Sequence, residues 1–316
     1  MKINLSVILP TFNERNNILS LLDELLKLSE SYEIELIVVD DSSTDGTSSS
    51  VRELAQADRR IRLINRLGRA GLSSAIKEGC LCATGEVLAI MDTDGQHEVR
   101  SVANGLKKLI EDKLDFVTGS RFLEKSSIKG LSDTRKGGSN LANNLARFSL
   151  PNRYSHLTDF MSGCIILDRQ SCISFIKRID VNGFKFFYEL LAVSKGKLKG
   201  EEIELIFQPR QYGSSKLDIA IVWDFLVSLV HTCLQRSIPR KAISFGFVGS
   251  TGVFVQFFVI YFLIWFVGIA FEKALPFAVV IAASSNFLIN NALTFRSTRL
   301  RNRKLINGLI KFLIVS

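Results

Sequence analysis

The sequence predicts an α/β domain on a mostly parallel sheet, continued by a tail that enters a membrane. Three observations carry this. From Leu5 to about Phe207, short β-branched apolar runs alternate with helix-length amphipathic segments, the pattern of strands covered on both faces. Two later stretches, residues 242–271 and 274–295, contain no charged side chain. The net charge of +9 is also unevenly placed: the chain is balanced up to Gln235, whereas Arg236–Ser316 carries ten basic residues and one acid, Glu272.

Strands are expected at Leu5–Leu9, Glu35–Val39, Ile61–Ile64, Val87–Met91, Asp115–Thr118, Cys164–Leu167 and Ile203–Phe207. Helices are expected at Asn16–Leu28, Thr47–Ala57, Leu72–Ala83 and Arg100–Glu111, with another starting near Thr134. Each charge-free stretch, at about 1.5 Å per residue, is long enough to cross a hydrocarbon core of roughly 30 Å. Two spanning helices, about 243–268 and 274–295, would form a hairpin turning at Glu272 and Lys273. Arg236, Arg240 and Lys241 precede it, and Arg296, Arg299, Arg301, Arg303 and Lys304 follow. The positive-inside tendency therefore assigns both flanks and the N-terminal domain to the cytoplasmic side of a cell membrane, with a multi-pass chain.

Leu217–Leu234 is apolar but interrupted by Asp218, Asp224 and His231. It suits a helix lying in the membrane interface or one packed on the globular domain. Leu305–Ser316 is too short to span, and is either interfacial or the start of a further span. The expected organisation is 1–215 for the α/β domain and 216–241 for amphipathic helices. The hairpin occupies 242–296, and a basic tail 297–316. The N-terminus meets Pro10 and charged residues too soon for a signal peptide.

Several function classes are excluded at this level. The five cysteines, Cys80, Cys82, Cys164, Cys172 and Cys233, show no C-x-x-C pairing, so neither a disulfide framework nor a zinc site is supported. A nucleic-acid partner is not expected, because the polar domain is neutral and the basic excess brackets apolar stretches.

The chemistry-bearing residues fall at the carboxyl ends of the expected strands, where open α/β sheets bind ligands. Pro10-Thr-Phe-Asn-Glu14 follows the first strand and Asp40-Asp-Ser-Ser-Thr-Asp-Gly-Thr47 the second. In the latter, Asp41 can bond a base or ribose, and Thr44 or Asp45 can cap the next helix. Met91-Asp-Thr-Asp-Gly-Gln96 places Asp92 and Asp94 at the end of an apolar strand. Close carboxylates repel unless a cation intervenes, which suits a hard divalent ion with Gln96 as a neutral oxygen ligand. A water-satisfied turn is the alternative. Arg121, the helical pair Arg135 and Ser139, and the later Arg210 and Lys216 form either a solvated basic surface or a set of partners for an anionic headgroup.

In this order, PTFNE, VVDDSSTDGT, GLSSA, ATGE, MDTDGQH, VTGSR, the Arg135/Ser139 helix, DFMSG and R-x-x-G-x-SK resemble the family-2 glycosyltransferases that act on polyprenyl phosphates. That family includes dolichyl-phosphate mannosyltransferases and bacterial undecaprenyl-phosphate glucosyltransferases. The likeness spans Leu5 to Leu217. FGFVGSTGV and SNFLINNALTFR resemble the first half of a small four-helix family linked to lipid-linked-sugar translocation.

The resemblance implies a GT-A fold. It also implies inverting, metal-dependent transfer of a hexose from a nucleotide-diphosphate sugar, UDP-glucose or GDP-mannose, to undecaprenyl or dolichyl phosphate. Pro10, Phe12, Glu14, Asp41 and Arg69 would line the nucleotide site beside Asp92 and Thr93. Asp94 and Gln96, with Asp92, would hold Mg²⁺ or Mn²⁺. Arg121, Arg135 and Ser139 would take the lipid phosphate, Arg210 and Lys216 would close over donor or acceptor, and Asp159 would orient the sugar. An ionised phosphate nucleophile needs no strong base, so His97, His156 and His231 read as structural or interfacial.

Thr93 stands where the family has Ala, Gly95 and Glu98 replace Leu and Pro, Leu131 replaces a Trp, Cys164 an aromatic and Glu204 a Pro. These departures bear on sugar specificity. A processive synthase would carry Q-x-x-R-W, which this sequence lacks. The remaining alternative is a non-catalytic nucleotide-sugar-binding module of a lipid-linked-sugar translocation system. Pairing of hairpins into a four-helix unit makes a homo-oligomer the expected assembly in the bilayer.

Overall fold

The structure, a computed structural model, describes residues 3–68, 71–123, 133–181, 185–206 and 219–315; of 133–136 and 297 it describes the backbone alone. The chain divides into two compact units, Met1–Leu217 and Asp218–Ser316.

The first unit holds a seven-stranded sheet. Its strands are β1 (Asn4–Thr11), β2 (Glu33–Asp40), β3 (Ile61–Asn65), β4 (Val87–Ile90), β5 (Phe116–Ser120), β6 (Ile165–Asp168) and β7 (Gly200–Glu204), in the order β3-β2-β1-β4-β6-β5-β7. The pairs β1–β2, β1–β4, β2–β3 and β5–β7 are parallel, while β6 runs antiparallel to both β4 and β5. Six strands therefore end at one edge of the sheet, and β6 begins there. That reversal delivers the segment before β6 to the edge where ligands bind in such sheets.

Helices α1 (Arg15–Leu26), α2 (Thr47–Ala57), α3 (Leu72–Cys82) and α4 (Arg100–Glu111) alternate with the early strands. Successive strand residues face opposite sides. Val7 and Leu9 join Leu36, Val38, Ala89 and Ile166 in a core completed by Ile18, Leu22 and Leu25 of α1 and Val102 and Leu106 of α4. On the other face Ile8 meets Gly79 of α3, where an added Cβ would lie 2.5 Å from the Ile8 methyl, so only glycine permits this approach.

After β5 come α5 (Asp133–Ser149), α6 (Arg169–Arg178) and α7 (Phe186–Ser194). Asp168 caps α6 by accepting the Ser171 amide at 2.7 Å. All nine residues of α7 are buried. Such a run has no polar face to mark its period, so the sequence pattern did not disclose it.

The last strand differs from expectation. The run Ile203–Phe207 predicts a strand, yet β7 begins three residues earlier, at Gly200, paired with Phe116. Gly200 lies under the Phe116 ring, with an added Cβ only 2.3 Å from it. The three acids Glu201, Glu202 and Glu204 hide this edge strand.

The second unit holds α8 (Ile219–Cys233), α9 (Arg240–Trp265), α10 (Phe271–Ala292) and α11 (Arg303–Val315). At 26 and 22 residues, α9 and α10 have the length and apolarity to cross a membrane. Both are mostly exposed: Phe254, Phe257, Phe258 and Trp265 of α9 and Phe277 of α10 point outward. A soluble core helix would bury such side chains, whereas lipid accepts them. Polar contacts tie α8 to the hairpin. Trp223 Nε1 donates to Ser244 Oγ at 2.9 Å, Ser244 meets Thr294 at 2.7 Å, and Thr294 donates to Asn290 at 2.8 Å. Arg296 pairs with Asp224 at 2.8 Å.

Candidate active site at the carboxyl edge of the sheet

Two loops at this edge are zipped together by their own side chains. The Asn13 amide donates to Ser43 Oγ at 2.8 Å, and the Thr44 amide to Asn13 Oδ1 at 2.9 Å. The Glu14 amide donates to Thr47 Oγ1 at 3.1 Å, and the Arg15 amide to Asp45 Oδ2 at 3.1 Å. Asp45 also accepts the Thr47 amide at 3.0 Å, so it, rather than Thr44, serves the start of α2. Burial pushes the Asp45 carboxyl up, but the Thr47 and Arg15 hydrogen bonds hold it below its ordinary value.

Of the adjacent acids, Asp40 is a staple. Fully buried, it accepts the Ser43 amide at 3.0 Å and Ser48 Oγ at 2.7 Å. Asp41 is held differently, by Arg66 Nη1 at 2.8 Å on one oxygen and the Gly71 amide at 2.8 Å on the other. Arg66, itself bound to Ser74 and Glu78, is a residue that sequence reasoning missed. Arg69, expected in this site, lies outside the described residues. Phe12 and Glu14 are half-buried beside Asp41's strand, with Glu14 accepting Asn17 Nδ2 at 2.7 Å.

The loop after β4 joins the same edge. Thr93, buried, donates to the Pro10 carbonyl at 3.1 Å, fastening this loop to the end of β1. Asp94 is buried and accepts the Gln96 amide at 3.2 Å across a turn with Gly95 at φ +73°. Asp92 Oδ2 lies 3.6 Å from His97 Nε2. Burial pushes the Asp92 carboxyl up, yet His97 and the charges of Lys185 and Arg121 hold it below its ordinary value.

The antiparallel register pairs Ile90 with Ile165, which brings Gly163 against Asp92. An added Cβ at Gly163 would fall 2.0 Å from Asp92 Oδ2. His97 and Gly163 were not expected here; a glycine two residues before a strand carries no signal until the register is known.

Arg121 and Asp159 form a bidentate pair, Nε to Oδ2 at 2.7 Å and Nη2 to Oδ1 at 2.9 Å. Burial lowers the Arg121 pKa, but the Asp159 charge and hydrogen bond raise it further, so the guanidinium stays charged. Asp159, expected to orient the sugar, is fully buried with both oxygens on Arg121. The physical reason is balance: a carboxylate at this depth is tolerable only when paired. Its Oδ1 also accepts the Met161 amide at 3.1 Å.

Behind the pair sits Glu202, another residue missed from sequence. One oxygen accepts the Thr158 and Asp159 amides at 2.8 and 2.9 Å, and the other accepts Thr158 Oγ1 at 2.8 Å. Burial pushes its carboxyl above the ordinary range, against the hydrogen bonds that lower it. Ser139 is half-buried on α5. The side chain of Arg135, and Arg210 and Lys216 altogether, lie outside the described residues. Burial pushes the Cys164 thiol up to about 12 and those of Cys80 and Cys172 also upward, so these cysteines act as small apolar side chains.

The side chains of Asp92, Asp94 and Gln96 offer hard oxygens, two carboxylates and one amide, of the kind a divalent cation takes. No group of three His, Cys, Asp or Glu suited to a metal occurs among the described residues. Mg²⁺ and Mn²⁺ sites commonly complete their shell with water and substrate phosphate oxygens.

Both parts of the chain resemble known proteins. The profile of Glycosyl transferase family 2 matches residues 6–178, and that of the GtrA/DPMS transmembrane domain matches residues 244–316. The dolichol-phosphate mannosyltransferase of Pyrococcus furiosus is 29% identical over 314 residues, covering 98% of this chain and 86% of that protein. The enzyme of the same name from Mycosarcoma maydis is 32% identical over 269 residues, covering 82% of this chain and 86% of the relative. Among solved structures, glucosyl-3-phosphoglycerate synthase of Mycobacterium tuberculosis in complex with Mn²⁺, uridine diphosphate and glucosyl-3-phosphoglycerate superposes with a TM-score of 0.56. It is 20% identical, over 75% of this chain and 81% of that one, which speaks for the GT-A fold. With two apolar helices of spanning length in a matched transmembrane domain, the protein is membrane-associated. The chain is a glycosyltransferase and belongs to glycosyl transferase family 2.

Proposed function

We propose that this enzyme transfers a hexose from a nucleoside-diphosphate sugar to polyprenyl phosphate at the cytoplasmic face of the membrane, as a multi-pass protein. One observation carries the reading: the likeness to the Pyrococcus dolichol-phosphate mannosyltransferase runs over 98% of the chain, through both the catalytic sheet and the apolar helices. The relatives' names favour mannose, and hence GDP-mannose, over UDP-glucose.

The acceptor phosphate oxygen is ionised at neutral pH and attacks the anomeric carbon directly. The new C–O bond forms as the bond to the nucleoside diphosphate breaks, so configuration inverts and no proton need be removed. Asp41, with Pro10, Phe12, Glu14 and Arg69, binds the nucleoside. Asp92, Asp94 and Gln96 would hold Mg²⁺ or Mn²⁺, which when bound neutralises charge on the diphosphate. Thr93 keeps their loop fastened to Pro10.

Arg121, Arg135 and Ser139 bind the lipid phosphate and hold it in line, offsetting repulsion between two anions. Asp159 acts through Arg121 by fixing its fork, and Arg210 and Lys216 would contact the donor diphosphate or the acceptor. Paired hairpins would give a homo-oligomer.

The test uses the full chain in lipid with dolichyl or undecaprenyl phosphate, Mn²⁺ or Mg²⁺, and labelled UDP- and GDP-sugars. Chelator-sensitive movement of label into the organic phase from one donor is expected. Nucleotide binding with no transfer from any donor would overturn the acceptor assignment.

A further inference from the structure

The turn that leads into β6 is held by side chains. The amides of four successive residues donate to side-chain oxygens: Thr158 and Asp159 to Glu202 Oε1 at 2.8 and 2.9 Å, Phe160 to Asn143 Oδ1 at 3.0 Å, and Met161 to Asp159 Oδ1 at 3.1 Å. Backbone donors taken out of water need such partners, so three side chains dictate the path of this turn. Two of them come from distant elements, Glu202 from β7 and Asn143 from α5. Asparagine is a poor choice for a helix interior on local grounds. Here it is 3% exposed and its oxygen is spent on the turn. One helical turn later, Arg147 donates to the Leu157 carbonyl at 3.0 Å, so α5 grips the segment twice.

What the turn presents is the carboxylate that holds Arg121. Besides the bidentate fork, the Arg121 amide donates to Asp159 Oδ2 at 3.3 Å. A second path runs through hydroxyls. Thr158 Oγ1 donates to Glu202 Oε2 at 2.8 Å and is left to accept from Ser120 Oγ at 2.5 Å, while Ser120 Oγ accepts the Phe122 amide at 3.1 Å. Glu202 therefore reaches the residues on both sides of Arg121. A bidentate fork is directional as well as charged. The plane of the guanidinium follows that of the Asp159 carboxylate, and the carboxylate follows the turn.

We infer that Glu202 and Asn143 are positioning residues for Arg121, setting from β7 and from α5 the turn that aims its guanidinium. Both act through Arg121 rather than on substrate, and the inference rests on the reading of Arg121 as a partner of the acceptor phosphate. A role in folding alone would weaken the handling of both substrates alike. Positioning confines the loss to the acceptor.

The experiment follows steady-state transfer to dolichyl phosphate by the full chain in nanodiscs, from GDP-mannose, or from UDP-glucose where wild type uses that donor. The variants are Glu202→Ala, Glu202→Gln, Asn143→Ala, Arg121→Lys and the double variant Glu202→Ala/Arg121→Lys, each assayed below its melting temperature, with nucleotide titration as the check that it is folded. Glu202→Ala and Asn143→Ala should each lower kcat/KM for the acceptor on the order of 10- to 100-fold, as misplaced catalytic groups do, with the donor KM unchanged. Glu202→Gln keeps an oxygen for the two amides and should recover most of the loss. In the double variant, Glu202→Ala should add little to Arg121→Lys, because residues acting through one another are not additive. Equal losses for donor and acceptor, or an undiminished effect of Glu202→Ala on the Arg121→Lys background, would overturn the proposal. An acceptor KM unchanged in Arg121→Lys would instead defeat the acceptor assignment, and the additivity test would still decide the positioning role.

Discussion

Two acid-rich loops, after β2 and after β4, look alike in sequence and are spent differently. After β2, Asp40 and Asp45 are consumed by serine, threonine and backbone donors that build the loop itself. After β4, Asp92 is set against a bare Gly163 and beside His97, with Arg121 and Lys185 close enough to influence its charge. The first loop spends carboxylates on shape, and the second keeps them among charged groups. Residue type and turn pattern do not separate the two uses. The partners do, and those come from distant parts of the chain.

The comparison can be broken by exchanging the roles. Asp94→Asn is expected to lower turnover on the order of 100-fold or more, as loss of a preorganised charge in a dry site does, with little change in thermal stability; steady-state kinetics and a melting curve check both. Gly163→Ala should displace Asp92 by about an ångström, which costs roughly 100-fold when catalytic groups are misplaced by that much. Its signature is a fall in kcat together with weaker metal-dependent nucleotide binding, read by nucleotide titration with and without Mn²⁺.

Next comes Asp159→Ala, which strands the Arg121 charge. Breaking such a buried pair costs about 3 kcal/mol, and denaturant unfolding should show it along with a raised acceptor KM. Glu202→Ala should cost about 1–2 kcal/mol by orphaning two amides, while Glu202→Gln retains an acceptor oxygen and recovers most of it. The Glu202 carboxyl is raised in the fold, so wild-type stability should fall as pH climbs from its unfolded value through its folded one. Glu202→Gln should flatten that slope.

The smallest effect concerns Glu35, far from the site. Burial raises its pKa, but hydrogen bonds from Ser6, Thr84 and Arg62 bring it to about 2. Its stabilisation is complete above its unfolded value and fades as pH falls towards 2. Acid titration of stability in Glu35→Gln should lack this component.

The legible parts of the sequence are those whose signal is local. The apolar runs that became β1 to β6 and the amphipathic α2 and α4 could be read because period and composition suffice. Asp92 and Asp94 stood out because carboxylates ending an apolar strand have no packing role. Glu202 was invisible: it sits in a polar edge strand, and its value lies in bonds to residues 43 and 44 positions away. Arg66 reads as a solvated cation until Asp41, 25 residues earlier, is placed against it. Gly163 became meaningful only through the reversed register of β6. Asp159 was legible as a candidate, but its burial and its pairing with Arg121 were not.

The most direct measurement follows Mn²⁺ by its paramagnetic resonance signal while the full chain is titrated with nucleoside diphosphate present. It compares wild type, Asp94→Asn and Asp45→Asn. The free-ion signal should be lost on wild type and on Asp45→Asn alike, and persist with Asp94→Asn. Equal binding by Asp94→Asn and wild type, or loss of binding in Asp45→Asn alone, would contradict the assignment of the β4 loop as the site of chemistry.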